Sequence, residues 1–104
     1  MSECNIALNA SINQKEQPNV LYAHGSVIVY TAETEVEIKK AVPPGYNPAI
    51  LLLNLTITPK PGPKKGTARA FLYEEAGDHV NQYTHVKVVS NQGDDCTVEI
   101  EVLG

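Results

Sequence analysis

Apolar and polar residues alternate along most of this chain, with the period of two that is typical of strands with one buried face. A period of 3.6, which would indicate helices, does not recur. The alternation predicts seven strands, at about residues 4–12, 20–31, 34–42, 49–58, 67–74, 83–90 and 96–103. Segments rich in Gly, Pro, Asn and Asp separate them, as is typical of turns. We therefore expect an all-β chain.

The most apolar segment, residues 49–58, admits two interpretations. Its leucines favour a helix. Its Thr-Ile-Thr end is β-branched, however, and Pro48 and Pro59 bracket the run, which favours a strand. We expect a central strand. The residues expected on its core face are Leu51, Leu53, Leu55 and Ile57.

Two glycines carry local predictions. Gly25 lies in the middle of predicted strand 20–31, and a glycine there marks either a bulge or a close approach of two backbones. Gly93 lies in the short turn at 91–95, where we expect it in the left-handed conformation. In the last strand, the residues expected to face the core are Cys96, Val98, Ile100 and Val102.

Seven short strands in 104 residues fit one domain, residues 1–104. We predict a single antiparallel two-sheet β-sandwich of immunoglobulin or fibronectin-III type, with a small β-barrel as the alternative. The tryptophan of a true immunoglobulin core is missing from the sequence. Two proline-rich segments, residues 43–48 and 59–66, are expected to carry the chain from one sheet to the other.

The charge of the chain excludes some partners. Its net charge of −4 at pH 7 argues against nucleic acids and anionic membrane surfaces. The longest apolar run, residues 49–53, is far shorter than the ~20 residues of a membrane helix, so we predict no membrane insertion. Residues 1–5 lack the basic and apolar regions of a secretory signal. We expect a cytoplasmic protein, although a signal peptide removed earlier would leave the same sequence.

Cys4 and Cys96 both fall on the expected core faces of their strands. A disulfide between them would close a loop of about 90 residues and contribute about 4 kcal/mol on the loop-entropy model. The alternative is two reduced thiols in the core, where free cysteines are commonly found. Because no secretion signal is visible, the sequence favours the reduced thiols.

The histidines and acidic residues offer weak candidates for a metal site. His79, His85 and Asp78 could meet near one edge, but surface histidines are the more ordinary interpretation. Acidic residues crowd two loops, at 74–78 and 94–95, without the spaced oxygen ligands that calcium commonly uses. We therefore predict no metal and no cofactor.

One pair of residues could suggest nucleophilic catalysis. His24 and Ser26 share a strand face, but a Ser–His pair also needs an orienting acid and a pocket. Neither is indicated by the sequence. We predict that the protein is not an enzyme.

Glu33, Glu35 and Glu37 alternate along one face of predicted strand 34–42. Like charges in this pattern are typical of a solvated edge strand that resists pairing with another sheet. The alternative is an acidic docking surface for a basic partner. The loop at 59–66 has the opposite charge, and it is either a solvated connection or a contact for an acidic partner.

The sequence predicts a non-enzymatic protein-interaction or binding module whose partner is unknown. A carbohydrate-binding β-sandwich, with tyrosines stacked on a glycan, is one alternative. A structural subunit of a homo-oligomeric assembly is the other. Tyr46 lies among prolines, where a large aromatic side chain often anchors a partner. The possible partner contacts are Tyr46, Lys60, Lys64, Lys65, Phe71 and Tyr73.

Overall fold

A computed structural model of the chain describes residues 6–15, 17–31, 33–41 and 47–103. Eight strands and one short 3₁₀ helix lie in these ranges. The strands are β1 (Ile6–Asn13), β2 (Val20–Val29), β3 (Glu35–Lys40), β4 (Ile50–Thr58), β5 (Thr67–Ala76), β6 (His85–Ser90), β7 (Asp95–Glu99) and β8 (Glu101–Leu103). The 3₁₀ helix spans Asp78–Gln82, between β5 and β6.

The strands form two open sheets of four strands each. Sheet A has the order β5-β2-β1-β8 and sheet B the order β3-β4-β6-β7. The all-β, two-sheet prediction is confirmed, and the sheets do not close into the alternative barrel. The prediction of purely antiparallel pairing is wrong, because β1 pairs with β8 and β4 with β6 in parallel. After β4 the chain passes through sheet A as β5 and then returns, so β6 runs in the direction of β4.

Only one proline-rich segment joins the two sheets. Residues 59–66 carry the chain from β4 in sheet B to β5 in sheet A, as predicted. The same prediction for residues 43–48 is wrong, since β3 and β4 on either side are antiparallel neighbours in sheet B. Prolines indicate an irregular backbone, but they do not specify which strand comes next in the sheet.

The core lies between the two sheets and follows the predicted alternation. In β1 the buried residues are Ile6, Leu8, Ala10 and Ile12. In β4 they are Leu51, Leu53, Leu55 and Ile57, so segment 49–58 is a central strand as predicted. Burial of each large aliphatic side chain contributes roughly 1.5–3 kcal/mol to the free energy of unfolding. The expected core position Cys4 lies outside the described residues.

The last predicted strand is divided by a bend at Ile100. β7 belongs to sheet B and β8 to sheet A, and Ile100 between them is buried and donates its amide to the carbonyl of Thr84 at 2.9 Å. The core position predicted for Val102 is wrong, because 55% of its surface is exposed. Beyond the bend, β8 forms the outer edge of sheet A, where the core no longer covers it.

Gly25 marks a close approach of two backbones. The pairing register of β2 with β1 and with β5 continues through Gly25 without interruption, so the bulge alternative does not apply. A Cβ atom added to Gly25 would lie 1.8 Å from the carbonyl oxygen of Ala7. Gly93 has a φ of 94°, which confirms the predicted left-handed turn position.

Candidate functional site

Four side chains converge on the carboxylate of Glu75, near the end of β5. The hydroxyl of Tyr73 donates to Oε1 at 2.5 Å, and the hydroxyl of Tyr83 donates to Oε2 at 3.0 Å. His79 donates from Nε2 to Oε2 at 2.7 Å, and the ammonium of Lys40 lies 3.2 Å from Oε1. Only 11% of the Glu75 side chain is exposed. We call these five residues the Glu75 cluster.

The hydrogen bonds of the Glu75 cluster shift several pKa values. Burial alone would raise the pKa of Glu75, but its four donors outweigh burial and lower that pKa from 4.5 to about 2. The pKa of Tyr73 rises, because burial and its bond to the carboxylate both favour the neutral phenol. The pKa of Lys40 also rises, chiefly through its hydrogen bond to Tyr83. The cluster therefore holds a carboxylate and an ammonium ion at neutral pH.

The Glu75 cluster connects the two sheets at one side of the sandwich. Lys40 ends β3 of sheet B, whereas Glu75 lies in β5 of sheet A. The Tyr83 ring contacts His79 edge-on, with centroids 6.3 Å apart, and Lys40 Nζ lies 5.9 Å from the ring centroid. A general base needs a pKa near the working pH and access to a substrate proton. A carboxylate with a pKa of about 2 and four donors suits a structural role instead.

Glu75→Gln should destabilise the protein by about 1–3 kcal/mol at pH 7, since the amide keeps the shape but loses charge-assisted hydrogen bonds. The pKa of Glu75 is about 2 when folded, against an ordinary 4.5. Its stabilising contribution is therefore complete above about pH 5 and is lost as the pH falls toward 2. Urea unfolding at pH 7 and pH 3 should show a gap between variant and wild type that narrows in acid. Glu74→Gln, exposed on the same strand, is the control, and equal losses in both variants would contradict this role.

The candidate metal ligands are not brought together. His79 is bound to Glu75, and Nδ1 of His85 lies 2.8 Å from Oγ1 of Thr84. Among the residues that the structure describes, no group of three or more His, Cys, Asp or Glu side chains could hold a metal ion. Asp78 therefore does not form a metal site with the two histidines.

His24 and Ser26 lie on the outward side of β2. The pairing register places Asn9 and Leu72 directly beside His24 on the neighbouring strands. Neither of these two neighbours carries a carboxylate that could orient the imidazole for catalysis. Glu99 and Glu101 line the same surface cleft as His24 but lie on β7 and β8. This pair of residues gives no support to a hydrolytic site.

Cys96, in β7, is buried and disulfide-bonded. The preference for a reduced core thiol is therefore wrong for Cys96. That preference depended on the missing secretion signal, which concerns the cellular compartment and says nothing about which strands adjoin. The other cysteine in the sequence, Cys4, lies outside the described residues.

The acidic stripe lies on an edge strand, as predicted. β3 is the first strand of sheet B, with Glu35 and Glu37 exposed and Val36 and Ile38 packed against the core. The carboxylate of Glu37 lies 3.2 Å from Nζ of Lys39, an exposed pair of the kind that contributes under about 1 kcal/mol. Docking of a basic partner on this stripe stays a prediction.

The loop at 59–66 is fixed to the β2–β3 connection at two points. Oγ1 of Thr31 donates to the carbonyl of Lys60 at 2.8 Å, and the amide of Lys65 donates to the carbonyl of Tyr30 at 2.6 Å. The lysine side chains that we predicted as partner contacts in this loop are exposed. The two bonds hold them at the end of sheet A where β5 begins.

The aromatic residues predicted as partner contacts lie in different surroundings. Phe71 packs in the core with 7% of its surface exposed, so it offers little to a partner. Tyr73 is half-buried, and its hydroxyl is bound to Glu75. Tyr46 lies outside the described residues. The alternation of β5 explains the first two positions, because Phe71 and Tyr73 lie on its inward side, whereas Ala70 and Leu72 lie on its outward side.

Alternate residues of β1, β2, β5 and the short β8 form the outer face of sheet A. Three large apolar side chains are exposed on it: Ile28 by 62%, Leu72 by 55% and Tyr30, just after β2, by 76%. Its charged members are Glu74, at one end, and Glu101 on β8, which pairs with Ser11 of β1. The members on β1, β2 and β5, with Tyr30 just after β2, are Ala7, Asn9, Ser11, Tyr22, His24, Ser26, Ile28, Tyr30, Ala68, Ala70, Leu72 and Glu74.

The outer face of sheet B is different, because charged residues of both signs cover it. Nζ of Lys87 lies 4.0 Å from the carboxylate of Asp95 on the neighbouring strand. The charged residues on this face are Glu35, Glu37, Lys39, Lys87, Asp95 and Glu99. Strongly hydrated groups of this kind suit a face that stays in water. The two sheets therefore present one hydrated face and one nearly uncharged face.

Sequence reasoning missed the outer face of sheet A, although a signal is present. Residues 67–73 carry apolar side chains on both sides of the strand, with Ala68 and Leu72 on one side and Phe71 on the other. A solvated strand normally has polar residues on its outward side. Apolar residues on both sides of an edge strand indicate a second buried or contact surface.

Within the described part of the chain, no helix has the length and apolar character needed to cross a membrane. The chain was also compared with protein-family models, with curated proteins and with solved structures. None of these comparisons finds a match to it.

Proposed function

We propose that this protein is a non-enzymatic protein-interaction module, and that its contact surface is the outer face of sheet A. The observation that carries the proposal is the exposure of Ile28, Tyr30 and Leu72 on a sheet face with almost no charge. Contiguous exposed apolar surface on a small protein commonly marks an interaction site.

The chemistry of this face favours a protein partner. The centre of a protein interface is poor in charged residues and contains aliphatic and aromatic side chains, as this face does. Its residues lie on paired strands, so little backbone entropy is lost when a partner binds. The fitting partner is a flat protein surface of equally low charge. Nucleic acids and anionic membranes would require lysines and arginines across the face.

Carbohydrate binding is the second candidate, and one observation favours it. Tyr30 is an exposed aromatic side chain that lines a surface cleft together with Thr34 and Gln92. An aromatic ring beside polar groups is what stacking on a sugar ring requires. The half-buried Tyr73 and the buried Tyr83 are already bound to Glu75, so they do not add to such a platform. A glycan array without binding would remove this candidate.

The disulfide at Cys96 bears on the cellular compartment in which the protein works, whereas the interaction surface does not. The cytoplasmic location stays a prediction, and the disulfide at Cys96 weighs against it, because disulfides persist mainly in oxidising compartments. An interaction module with this disulfide would work best outside the reducing cytosol.

Site-specific photo-crosslinking in producing cells tests the proposal. Benzoylphenylalanine replaces Tyr30 in one variant, as a near match in shape, and Thr56 on the outer face of sheet B in the control. We expect a discrete crosslinked species from position 30 that is strongly reduced when Leu72→Asp is added, and none from position 56. Absence of such a species, or equal crosslinking from both positions, would overturn the proposal.

A further inference from the structure

Along β5, the outer face of sheet A has a pattern of large and small side chains that is complementary to itself. The pairing register aligns Ser26 with Ala70 at the middle of the face. Two residues further along β2, Ile28 lies beside Ala68 of β5. Two residues back along β2, His24 lies beside Leu72 of β5. A central row of small residues is thus flanked by rows that each contain one large apolar side chain.

We propose that the partner of this face is the same face of a second copy of the chain. This inference rests on the interaction-module function proposed above. The two copies pack face to face about a two-fold axis that runs across the strands through the Ser26–Ala70 row. The axis reverses the order of the rows, so Leu72 of one copy lies over Ala68 of the second copy. A large side chain then meets a small one at both symmetry-related positions.

Charge fixes the choice of axis. Lys64 and Lys65 are exposed just before β5, at one end of the face, and Glu74 is exposed at the other end. Reversal of the rows brings the lysines of each copy to Glu74 of the other copy. A two-fold axis parallel to the strands would instead leave the lysines of both copies at the same end of the interface, away from Glu74. The chain carries a net charge of −4, so a face nearly free of charge is where two copies meet with least repulsion.

The size of the face sets the strength of the association. A ten-residue strand spans about 33 Å and three strands span about 14 Å. Two such faces together bury about 1,000 Å², at the lower limit for a specific protein interface. We therefore expect a reversible dimer with a dissociation constant in the micromolar range or weaker. Such a dimer would form and dissociate with local concentration.

Sedimentation equilibrium of the full-length, oxidised chain over a wide concentration range tests the inference. We expect a monomer–dimer equilibrium that Leu72→Asp weakens at least 10-fold, because a carboxylate would then be desolvated against the second copy. Leu72 is largely exposed, so circular dichroism and melting of this variant should match the wild type. Thr56→Asp, on the outer face of sheet B, should leave the dimerisation constant unchanged.

Charge reversal tests the proposed axis. Glu74→Lys alone should weaken the dimer several-fold, and so should Lys64→Glu combined with Lys65→Glu. A mixture of these two variants should associate more strongly than either variant alone, because both contacts across the axis again join opposite charges. Failure of the mixture to recover association would overturn the row-reversed arrangement.

The outcomes separate this inference from the proposed function. A dimer that Leu72→Asp weakens, together with a crosslinked species of twice the chain mass from position 30, supports both. A strict monomer at all concentrations, with a crosslinked species of another mass, overturns self-association and leaves the interaction module in place. A monomer with no crosslink from position 30 overturns both. A dimer indifferent to Leu72→Asp overturns the self-association inference.

Discussion

Gly25→Ala is expected to destabilise the protein by at least about 3 kcal/mol, beyond the usual range for an overpacked site. The new Cβ atom would lie 1.8 Å from the carbonyl oxygen of Ala7 and 2.8 Å from its carbonyl carbon. Both obstructing atoms belong to the backbone, so no change of side-chain rotamer relieves the clash. Relief requires β1 and β2 to move apart in the middle of sheet A. Thermal unfolding should then begin more than about 10 °C below the wild-type transition.

Gly66→Ala provides the matched control for this prediction. A Cβ atom at Gly66 would have its nearest neighbour, Cγ2 of Ile28, at 4.0 Å, which is ordinary van der Waals contact. The substitution restricts the unfolded chain without a clash, so we expect a change between zero and about 1 kcal/mol of stabilisation. Gly25→Ala and Gly66→Ala unfolding together near the wild-type temperature would show that the β1–β2 contact at Gly25 is not as close as described.

Alternation predicted the strands well because burial on one face imposes it locally. The buried residues of β1 alternate as predicted, and those of β4 are the four predicted core residues. Each of these patterns can be recognised without knowing the neighbouring strand. Pairing between distant strands leaves no such local trace. The parallel pairs β1–β8 and β4–β6 depend on where the chain returns after each crossing. For that reason the all-β, two-sheet class could be predicted, but the mixture of parallel and antiparallel pairs could not.

The orientation of the predicted contact residues could not be inferred from the sequence for a similar reason. Phe71 and Tyr73 are aromatic and follow a proline-rich loop, but both face inward from β5. The type of a residue does not show which side of a strand is buried when both sides are apolar. The Glu75 cluster was equally hidden, since Lys40 and Glu75 are 35 positions apart and lie in different sheets. Only the three-dimensional packing of the two sheets brings them together.

Loss of the disulfide at Cys96 should destabilise the protein by about 2–5 kcal/mol. Cys96 lies in β7, where it is buried and disulfide-bonded. A crosslink limits the unfolded chain, and its effect grows with the length of the loop that it closes. Cys96→Ala keeps a small apolar side chain at this position, so most of the measured loss should come from the missing bond.

Urea unfolding of the wild type and of Cys96→Ala, each with and without a thiol reductant, gives the decisive comparison. The reductant should lower the midpoint of the wild type to nearly that of the variant, and it should leave the variant unchanged. Thiol titration in denaturant should find two reactive groups per wild-type chain only after reduction, because the sequence contains two cysteines. If the reductant lowered the urea midpoints of the wild type and of Cys96→Ala equally, its effect would not come from the disulfide at Cys96, which would contradict the prediction. If the wild type gave two free thiols before any reduction, the disulfide at Cys96 would be excluded. The argument against a cytoplasmic location would then be removed.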